Sequence, residues 1–229
     1  MTEPAISAVA ALEDALRREM YAFIRQAHRP VTRDEAAASV GISRKLAAFH
    51  LDKLVGAGLL RAHYGQVGGI RKVGRKPKLY EPTDIDITVT IPERRHAVLA
   101  DMLIDAVLTE TEDENAQQAA LRVAGERGEE LGAAERATVK PGRLGPERAL
   151  TVCEGVLARH GFEPSRESPT CVRLHNCPFH PLAARAADLV CGMNRAFLTG
   201  MLAGLDATGI QAVLTPRPGE CCVELRSTD

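Results

Sequence analysis

The stretch Thr32–Val55, TRDEAAASVGISRKLAAFHLDKLV, predicts two short helices joined by a tight turn. Thr32 and Glu35 have the spacing of a capping box, in which a hydroxyl and a carboxylate three residues apart satisfy amides of a first helical turn. Gly41 suits the turn because glycine tolerates left-handed backbone angles, and Ser43 can cap the second helix. We therefore expect a helix-turn-helix.

Helical spacing divides the second of these helices into two faces. One face is expected to be buried and carries Ala47, His50, Leu51 and Leu54. The opposite face is expected to enter the major groove of DNA, and its predicted DNA contacts are Ser43, Arg44, Lys45 and Phe49.

Two candidate strands, Leu59–Tyr64 and Leu79–Pro82, flank a loop and predict a β-hairpin wing. Five of the eight residues from Arg71 to Lys78 are basic, namely Arg71, Lys72, Arg75, Lys76 and Lys78. A cationic loop beside a groove-sized helix suits phosphate contacts, which position a protein on DNA without reading its sequence. Thr32–Thr83 therefore predicts a winged helix-turn-helix with double-stranded DNA as its partner.

Charge is unevenly distributed along the 229 residues. Between Arg29 and Lys78, eleven Lys or Arg face three acidic residues, so this region carries about +8 although the whole chain carries −1. A basic module joined to an acidic body favours nucleic-acid binding by the first part and another role for the second. The absence of a long apolar run and the acidic residues near the N-terminus predict a cytoplasmic protein with no membrane partner.

The rest of the chain predicts further helices and a second small sheet. We expect helices at 8–27, from Pro92 onwards, at 114–134, at 146–160 and at 182–205, and strands near 170–174 and within 211–225. Residues 84–90 are expected to form either a connecting strand or an extended linker. The apolar stripe after Pro92 can be buried in its own chain or form a dimer contact. Small residues within 114–134 would allow another helix to approach closely. The predicted class is α+β, mostly helical, with a DNA-binding domain at 1–85, a helical linker or dimerisation region at 86–145, and a cysteine-rich sensor domain at 146–229.

Five of the six cysteines, all of them after residue 170, lie at junctions between predicted elements. Thiolates are soft donors that suit zinc, copper(I) or iron-sulfur clusters. The predicted ligands are Cys177, Cys191, Cys221, Cys222 and His180, and because residues 221 and 222 would alternate faces in a strand, only one of the pair is expected to point at the site. Wide ligand spacing favours a cluster over a structural zinc site, while buried or incidental thiols are the third possibility.

Several segments resemble the iron-sulfur repressors of Suf-type cluster-assembly operons. They are Gly41-Ile42-Ser43, His50–Leu54, Gly58-Leu59-Leu60, Gly74–Tyr80, Asn176-Cys177-Pro178-Phe179, Val190-Cys191 and Gly219-Glu220-Cys221. The winged-helix part is generic among bacterial regulators, whereas Asn-Cys-Pro-Phe followed by two further cysteines is more specific. The resemblance implies a dimeric, redox-sensing repressor whose cluster is held by Cys177, Cys191 and Cys221. It leaves the fourth ligand open, and the extra Cys171, Cys222 and His180 depart from its pattern.

The sequence thus predicts a DNA-binding transcriptional regulator whose DNA affinity is set by an iron-sulfur cluster. The alternative is a winged-helix regulator that responds to zinc or to a small molecule and has structural cysteines. An enzyme is not expected, because the sequence has no nucleophile elbow, phosphate-binding glycine loop or His-Glu-x-x-His motif.

Overall fold

The computed structural model describes residues 3–65, 76–139 and 145–228 of the chain. The chain forms two compact units, residues 1–90 and residues 91–229. Both units combine helices with one small antiparallel sheet, which confirms the expected mixed and mostly helical class. None of the helices in the described ranges is both long and apolar enough to cross a membrane.

The first unit contains four helices and three strands in its described residues. In chain order these are α1 (Glu3–Ala11), α2 (Ala15–Ala27), β1 (Val31–Thr32), α3 (Arg33–Ser39), α4 (Arg44–Gly56), β2 (Leu60–Tyr64) and β3 (Lys78–Pro82). The strands pair antiparallel in the order β1-β3-β2. The core of this unit includes Met20, Ile24, Leu51, Leu54 and Tyr80, which are all fully buried.

Local backbone chemistry explains how α3 and α4 begin. Thr32 and Glu35 form the predicted capping box, in which each side chain accepts a hydrogen bond from the other residue's amide. Gly41 has the expected left-handed backbone, with φ of 68°. Ser43 accepts a hydrogen bond from the Leu46 amide at 3.2 Å and so caps α4. The sequence located both helix starts because capping is a local interaction.

The prediction of one continuous helix over 8–27 was wrong. The chain forms α1 and α2 with a break at residues 12–14, and Asp14 accepts a hydrogen bond from the Arg17 amide at 2.9 Å as the cap of α2. An aspartate that competes for backbone amides favours a helix start over a helix interior. Residues 84–90 form no strand, so the extended linker is the alternative that the structure shows.

The second unit contains five helices and four strands in its described residues. In chain order these are α5 (His96–Leu108), α6 (Ala116–Val139), α7 (Pro146–Arg159), β4 (Pro164–Ser168), β5 (Cys171–Leu174), α8 (Leu182–Arg185), α9 (Ala187–Gly204), β6 (Ile210–Leu214) and β7 (Val223–Ser227). The sheet is antiparallel in the order β4-β5-β7-β6. Helix α7 contacts all four strands, and α9 contacts β6 and β7.

Helices α6 and α9 pack against each other with almost no side chain between their backbones. A Cβ added at Gly128 would overlap the Phe197 carbonyl oxygen and lie 2.9 Å from the Met201 nitrogen. A Cβ at Gly200 would overlap the Gly125 carbonyl oxygen in the same way. The expected close approach of a second helix to the small residues of this region is therefore confirmed, and α9 is that helix.

Two helix boundaries and one strand in the second unit differ from the predictions. Helix α5 begins at His96 rather than at Pro92, because residues 93–96 use their polar groups to bind the loop around Cys177. The long helix predicted at 182–205 is broken at Ala186, whose φ of −142° and ψ of 65° are not helical. Strand β4 was not predicted.

Candidate functional site

The exposed face of α4 carries the residues predicted to contact DNA. Ala47, His50, Leu51 and Leu54 are buried as expected. Ser43, Arg44, Lys45 and Phe49 are exposed, and Phe49 retains 54% of its accessible surface although it is a large apolar residue. Lys53 Nζ lies 5.7 Å from the centroid of the Phe49 ring, so this exposed aromatic side chain has a cation beside it.

A basic cleft joins the start of α4 to the base of the hairpin formed by β2 and β3. The cleft has a volume of about 340 Å³ and is lined by Thr32, Arg33, Asp34, Arg44, Tyr64, Lys76, Pro77 and Lys78. The fold therefore brings Arg44 together with Lys76 and Lys78, which lie more than thirty residues away in sequence. Arg71, Lys72 and Arg75, also predicted to contact DNA, lie outside the described residues.

Ion pairs hold two of the basic side chains in this region. Arg44 Nε lies 3.0 Å from Asp34 Oδ1, and Lys78 Nζ lies 2.8 Å from Asp52 Oδ1. The hydrogen bond to Asp52 raises the pKa of Lys78, so this ammonium stays charged at neutral pH. The Arg44 and Asp34 side chains are 68% and 64% exposed, whereas Lys78 is 27% exposed. Exposed ion pairs of the first kind contribute little to stability.

Four cysteines converge in the second unit from three separate parts of the chain. Cys177 lies in the loop after β5, Cys191 lies in α9, and Cys221 and Cys222 lie just before β7. Backbone hydrogen bonds fix the last two, from the Cys221 amide to the Leu174 carbonyl at 2.9 Å and from the Thr215 amide to the Cys222 carbonyl at 2.8 Å. The sheet thus places this pair beside the Cys177 loop.

The four thiols form a continuous chain of contacts. Cys177 is hydrogen bonded to Cys221, Cys221 to Cys222, and Cys222 to Cys191. The strand alternation expected at Cys221 and Cys222 is absent, and both residues contact other thiols. Both residues precede β7, which begins at Val223, so they do not alternate as strand residues would.

Contacts among the thiols and burial determine how these groups titrate. The hydrogen bond to Cys221, followed by burial, raises the pKa of Cys177. At Cys221 the hydrogen bond with Cys177 lowers the pKa, but the bond with Cys222 and burial outweigh it and raise the pKa to about 12. Burial raises the pKa of Cys191. These three groups are therefore protonated thiols at neutral pH, and a bound metal must displace their protons.

Several N–H groups point at the sulfur atoms. The amides of Phe179 and His180 bond to Cys177, and the amide of Val223 bonds to Cys221. Asn194 Nδ2 donates to Cys221 Sγ at 3.2 Å, while its Oδ1 is buried and has no hydrogen-bond partner. Donors of this kind stabilise negative charge on sulfur, so they partly offset the effect of burial on the pKa of these thiols.

Asn194 was missed by the sequence analysis. Its role could have been recognised from the sequence. Asn194 follows Cys191 by three residues and so lies on the same helix face. It also interrupts the apolar stripe of Val190, Met193 and Phe197. The asparagine is 1% exposed. A buried amide in an apolar stripe, one helical turn from a candidate ligand, is a sign of a supporting hydrogen bond.

The remaining predicted or nearby groups lie differently. His180 is exposed, and its backbone amide bonds to Cys177. Cys171 lies in β5 beside Glu224 and Glu167, and Cys153 is fully buried in α7. Among the described residues, no three His, Cys, Asp or Glu side chains stand in an arrangement that could hold a metal ion as they are. The four thiols would have to rearrange to bind one.

Comparison of the sequence with models of known protein families and with curated protein sequences gives no match.

Proposed function

We propose that the protein is a DNA-binding transcriptional regulator, acting as a repressor, whose DNA affinity is set by an iron-sulfur cluster at the four-cysteine site. The observation that carries this proposal is the convergence of Cys177, Cys191, Cys221 and Cys222 under several N–H donors, in a chain whose other unit presents a basic, aromatic-bearing helix face.

The first unit supports DNA binding by a winged helix-turn-helix. Helices α3 and α4 are joined by a short turn that contains Gly41, and β2 and β3 form a hairpin beside the start of α4. Arg44, Lys45 and Phe49 would contact base edges, while Lys76 and Lys78 would bind phosphates. The predicted basic residues of the wing would add further phosphate contacts.

The second unit supports cofactor binding through its own side chains. Four thiols match the four-cysteine ligand sets of iron-sulfur clusters, and Asn194 and the surrounding amides would stabilise sulfur in its thiolate form. When bound, a cluster would supply a centre whose oxidation or loss changes the ligation of the protein. Because ligation ties α9 to the Cys177 loop and to the residues before β7, it would favour one conformation over another.

The outer face of α5 supports a homodimer. Leu99, Met102 and Ala106 are buried within the chain, but Ile104, Val107 and Leu108 retain 56%, 70% and 76% of their accessible surface. Neighbouring exposed apolar side chains of this size are typical of a surface that another protein covers. A second copy of the chain is the natural cover, because paired half-sites are how helix-turn-helix proteins obtain specificity.

The cofactor is tested by visible spectroscopy of protein purified without oxygen. We expect a brown protein with broad absorption in the visible range, and loss of that absorption in Cys177→Ser and Cys191→Ser. Cys171→Ser, a thiol outside the four-cysteine site, is the matched control and should keep the colour. A colourless protein with one equivalent of zinc would replace the cluster with a structural metal.

DNA binding is tested on an operator selected from a random duplex library. Arg44→Ala should lose about 1 to 3 kcal/mol of discrimination between operator and random DNA. Lys76→Ala should weaken binding to both and reduce the salt slope by about one. Arg25→Ala removes the same charge from α2 and should change neither. Equal losses on both DNAs for Arg44→Ala and Lys76→Ala would contradict the division of roles.

A small-molecule-responsive regulator is the second candidate, and one cavity favours it. The cavity has a volume of about 650 Å³ and an apolar wall that includes Leu103, Ala106, Val107, Ala120 and Leu189. Stabilisation of the metal-free protein by an apolar ligand, together with a ligand-dependent DNA affinity, would support this candidate instead.

A further inference from the structure

A short segment leads from the end of the first unit to the start of α5. We call residues 91–96 the connecting segment, because the second unit begins at residue 91 and α5 begins at His96. This segment forms hydrogen bonds with residues more than eighty positions away, in the loop 175–181 that carries Cys177.

Two backbone groups and one side chain of the connecting segment form hydrogen bonds with the loop. The Arg95 amide donates to the Pro178 carbonyl at 2.8 Å, and His96 Nε2 lies 3.0 Å from the His180 carbonyl oxygen. Asn176 Nδ2 donates to the Glu93 carbonyl at 3.1 Å. Three residues of the connecting segment, Glu93, Arg95 and His96, are therefore hydrogen bonded to the loop.

Arg94 and Asn176 lie at the centre of this contact. Arg94 Nη1 donates to Asn176 Oδ1 and, at 3.0 Å, to the carbonyl oxygen of Cys177 itself. Asn176 is 6% exposed, and its Nδ2 also donates to the Gly161 carbonyl at 2.6 Å. Every polar atom of the Asn176 amide is therefore engaged, and the backbone of Cys177 is held directly by the connecting segment.

We infer that Arg94 and Asn176 are positioning residues that couple the occupancy of the cysteine site to the connecting segment, and through it to the DNA-binding unit. The inference rests on the proposed function. Ligation would fix the Cys177 sulfur, while Arg94 donates to the carbonyl of the same residue. Buried hydrogen-bonding groups resist losing their partners, so the segment follows Cys177 when the loop moves.

The first test measures amide hydrogen exchange across residues 91–96 in the full-length wild-type protein. Exchange is compared between protein reconstituted anaerobically with ferrous iron and sulfide and the same protein after chelation. We expect occupancy to slow exchange of the Arg95 amide, which donates to the Pro178 carbonyl. A coloured protein in which this amide exchanges equally in both states would overturn the coupling while leaving the cofactor assignment standing.

The second test compares Arg94→Met with Arg95→Met. Methionine keeps the apolar stem of either arginine and removes its charge. Arg94→Met loses the bonds to Asn176 and Cys177, whereas Arg95→Met loses side-chain bonds to the Arg159 carbonyl and Glu93 and keeps its amide bond to Pro178. Arg95→Met is therefore the matched control.

Both variants should take up the cofactor with the wild-type spectrum. The ratio of operator affinities between the loaded and cofactor-free states should fall at least fivefold, towards one, in Arg94→Met and stay at the wild-type value in Arg95→Met. A wild-type ratio in Arg94→Met would overturn the inference. If Arg94→Met does not fold, the exchange measurement on the wild-type protein decides.

A wild-type protein that takes up no cofactor would overturn both this inference and the proposed function. Its visible spectrum shows this before any variant is made.

Discussion

The Glu35 carboxylate, at the start of α3, makes the stability of the protein depend on pH. A hydrogen bond from Arg29, followed by one from the Thr32 amide, lowers the pKa of Glu35 to about 2. The folded protein therefore binds fewer protons at this group than the unfolded chain between about pH 4.5 and pH 2. The resulting stabilisation is present above the unfolded pKa and is lost as the pH falls through this window.

Glu35→Gln should lower the free energy of unfolding by roughly 1 kcal/mol at pH 7. The effect is modest because the Glu35 side chain is 33% exposed, so solvent screens its interaction with Arg29. Glutamine keeps an acceptor for the Thr32 amide, so the substitution removes mainly the pairing with Arg29. Chemical denaturation between pH 7 and pH 2.5 should show the two proteins converging. Glu19→Gln, at an exposed position of α2, should behave as wild type throughout. A constant difference between wild type and Glu35→Gln across this range would contradict the linkage.

At the scale of elements, the crossing of α6 and α9 depends on glycines that were visible in the sequence but had no assigned partner. Gly128→Ala should lower the free energy of unfolding by about 2 kcal/mol or more. The added Cβ would overlap the backbone of α9, which cannot move aside as a flexible side chain can. Thermal or denaturant unfolding of the full chain measures this loss. Gly200→Ala, on the opposite helix, should have a similar effect.

Gly155→Ala is the matched control for this prediction. Gly155 lies inside α7, and the nearest atom to its added Cβ is Arg159 Nη1, at 3.6 Å. Alanine has a higher helix propensity than glycine, so this change should be neutral or stabilising by up to about 1 kcal/mol. Similar losses at positions 128 and 155 would show that the crossing is not the cause.

At the scale of the whole molecule, the exposed apolar face of α5 predicts self-association. Val107→Asp should convert a dimer into a monomer, because it would place an unpaired charge in an apolar interface. Sedimentation equilibrium across a range of protein concentrations measures this change. Leu214→Asp, at an exposed position of β6, is the control and should leave the dimer intact. A wild-type protein that is monomeric at micromolar concentration would contradict the prediction.

The sequence by itself determined what depends on neighbouring residues. The capping box of Thr32 and Glu35, the left-handed Gly41, the cap at Ser43 and the buried face of α4 all follow from spacing of a few residues, because helix starts and helix faces are local. The same reasoning failed at Asp14, where a cap was present but was taken for a helix interior.

Only the tertiary structure decided what distant segments do together. Lys76 and Arg44 line the same cleft, and both Cys221 and Cys222 contact other thiols. Helix α5 begins at His96 and not at Pro92, because the preceding residues bond to the Cys177 loop. The tertiary structure also identified Asn194 as a donor to Cys221 and α9 as the partner of the glycines of α6. These contacts join residues far apart in sequence, and no local spacing encodes which of them meet once the sheet and the helix crossing have formed.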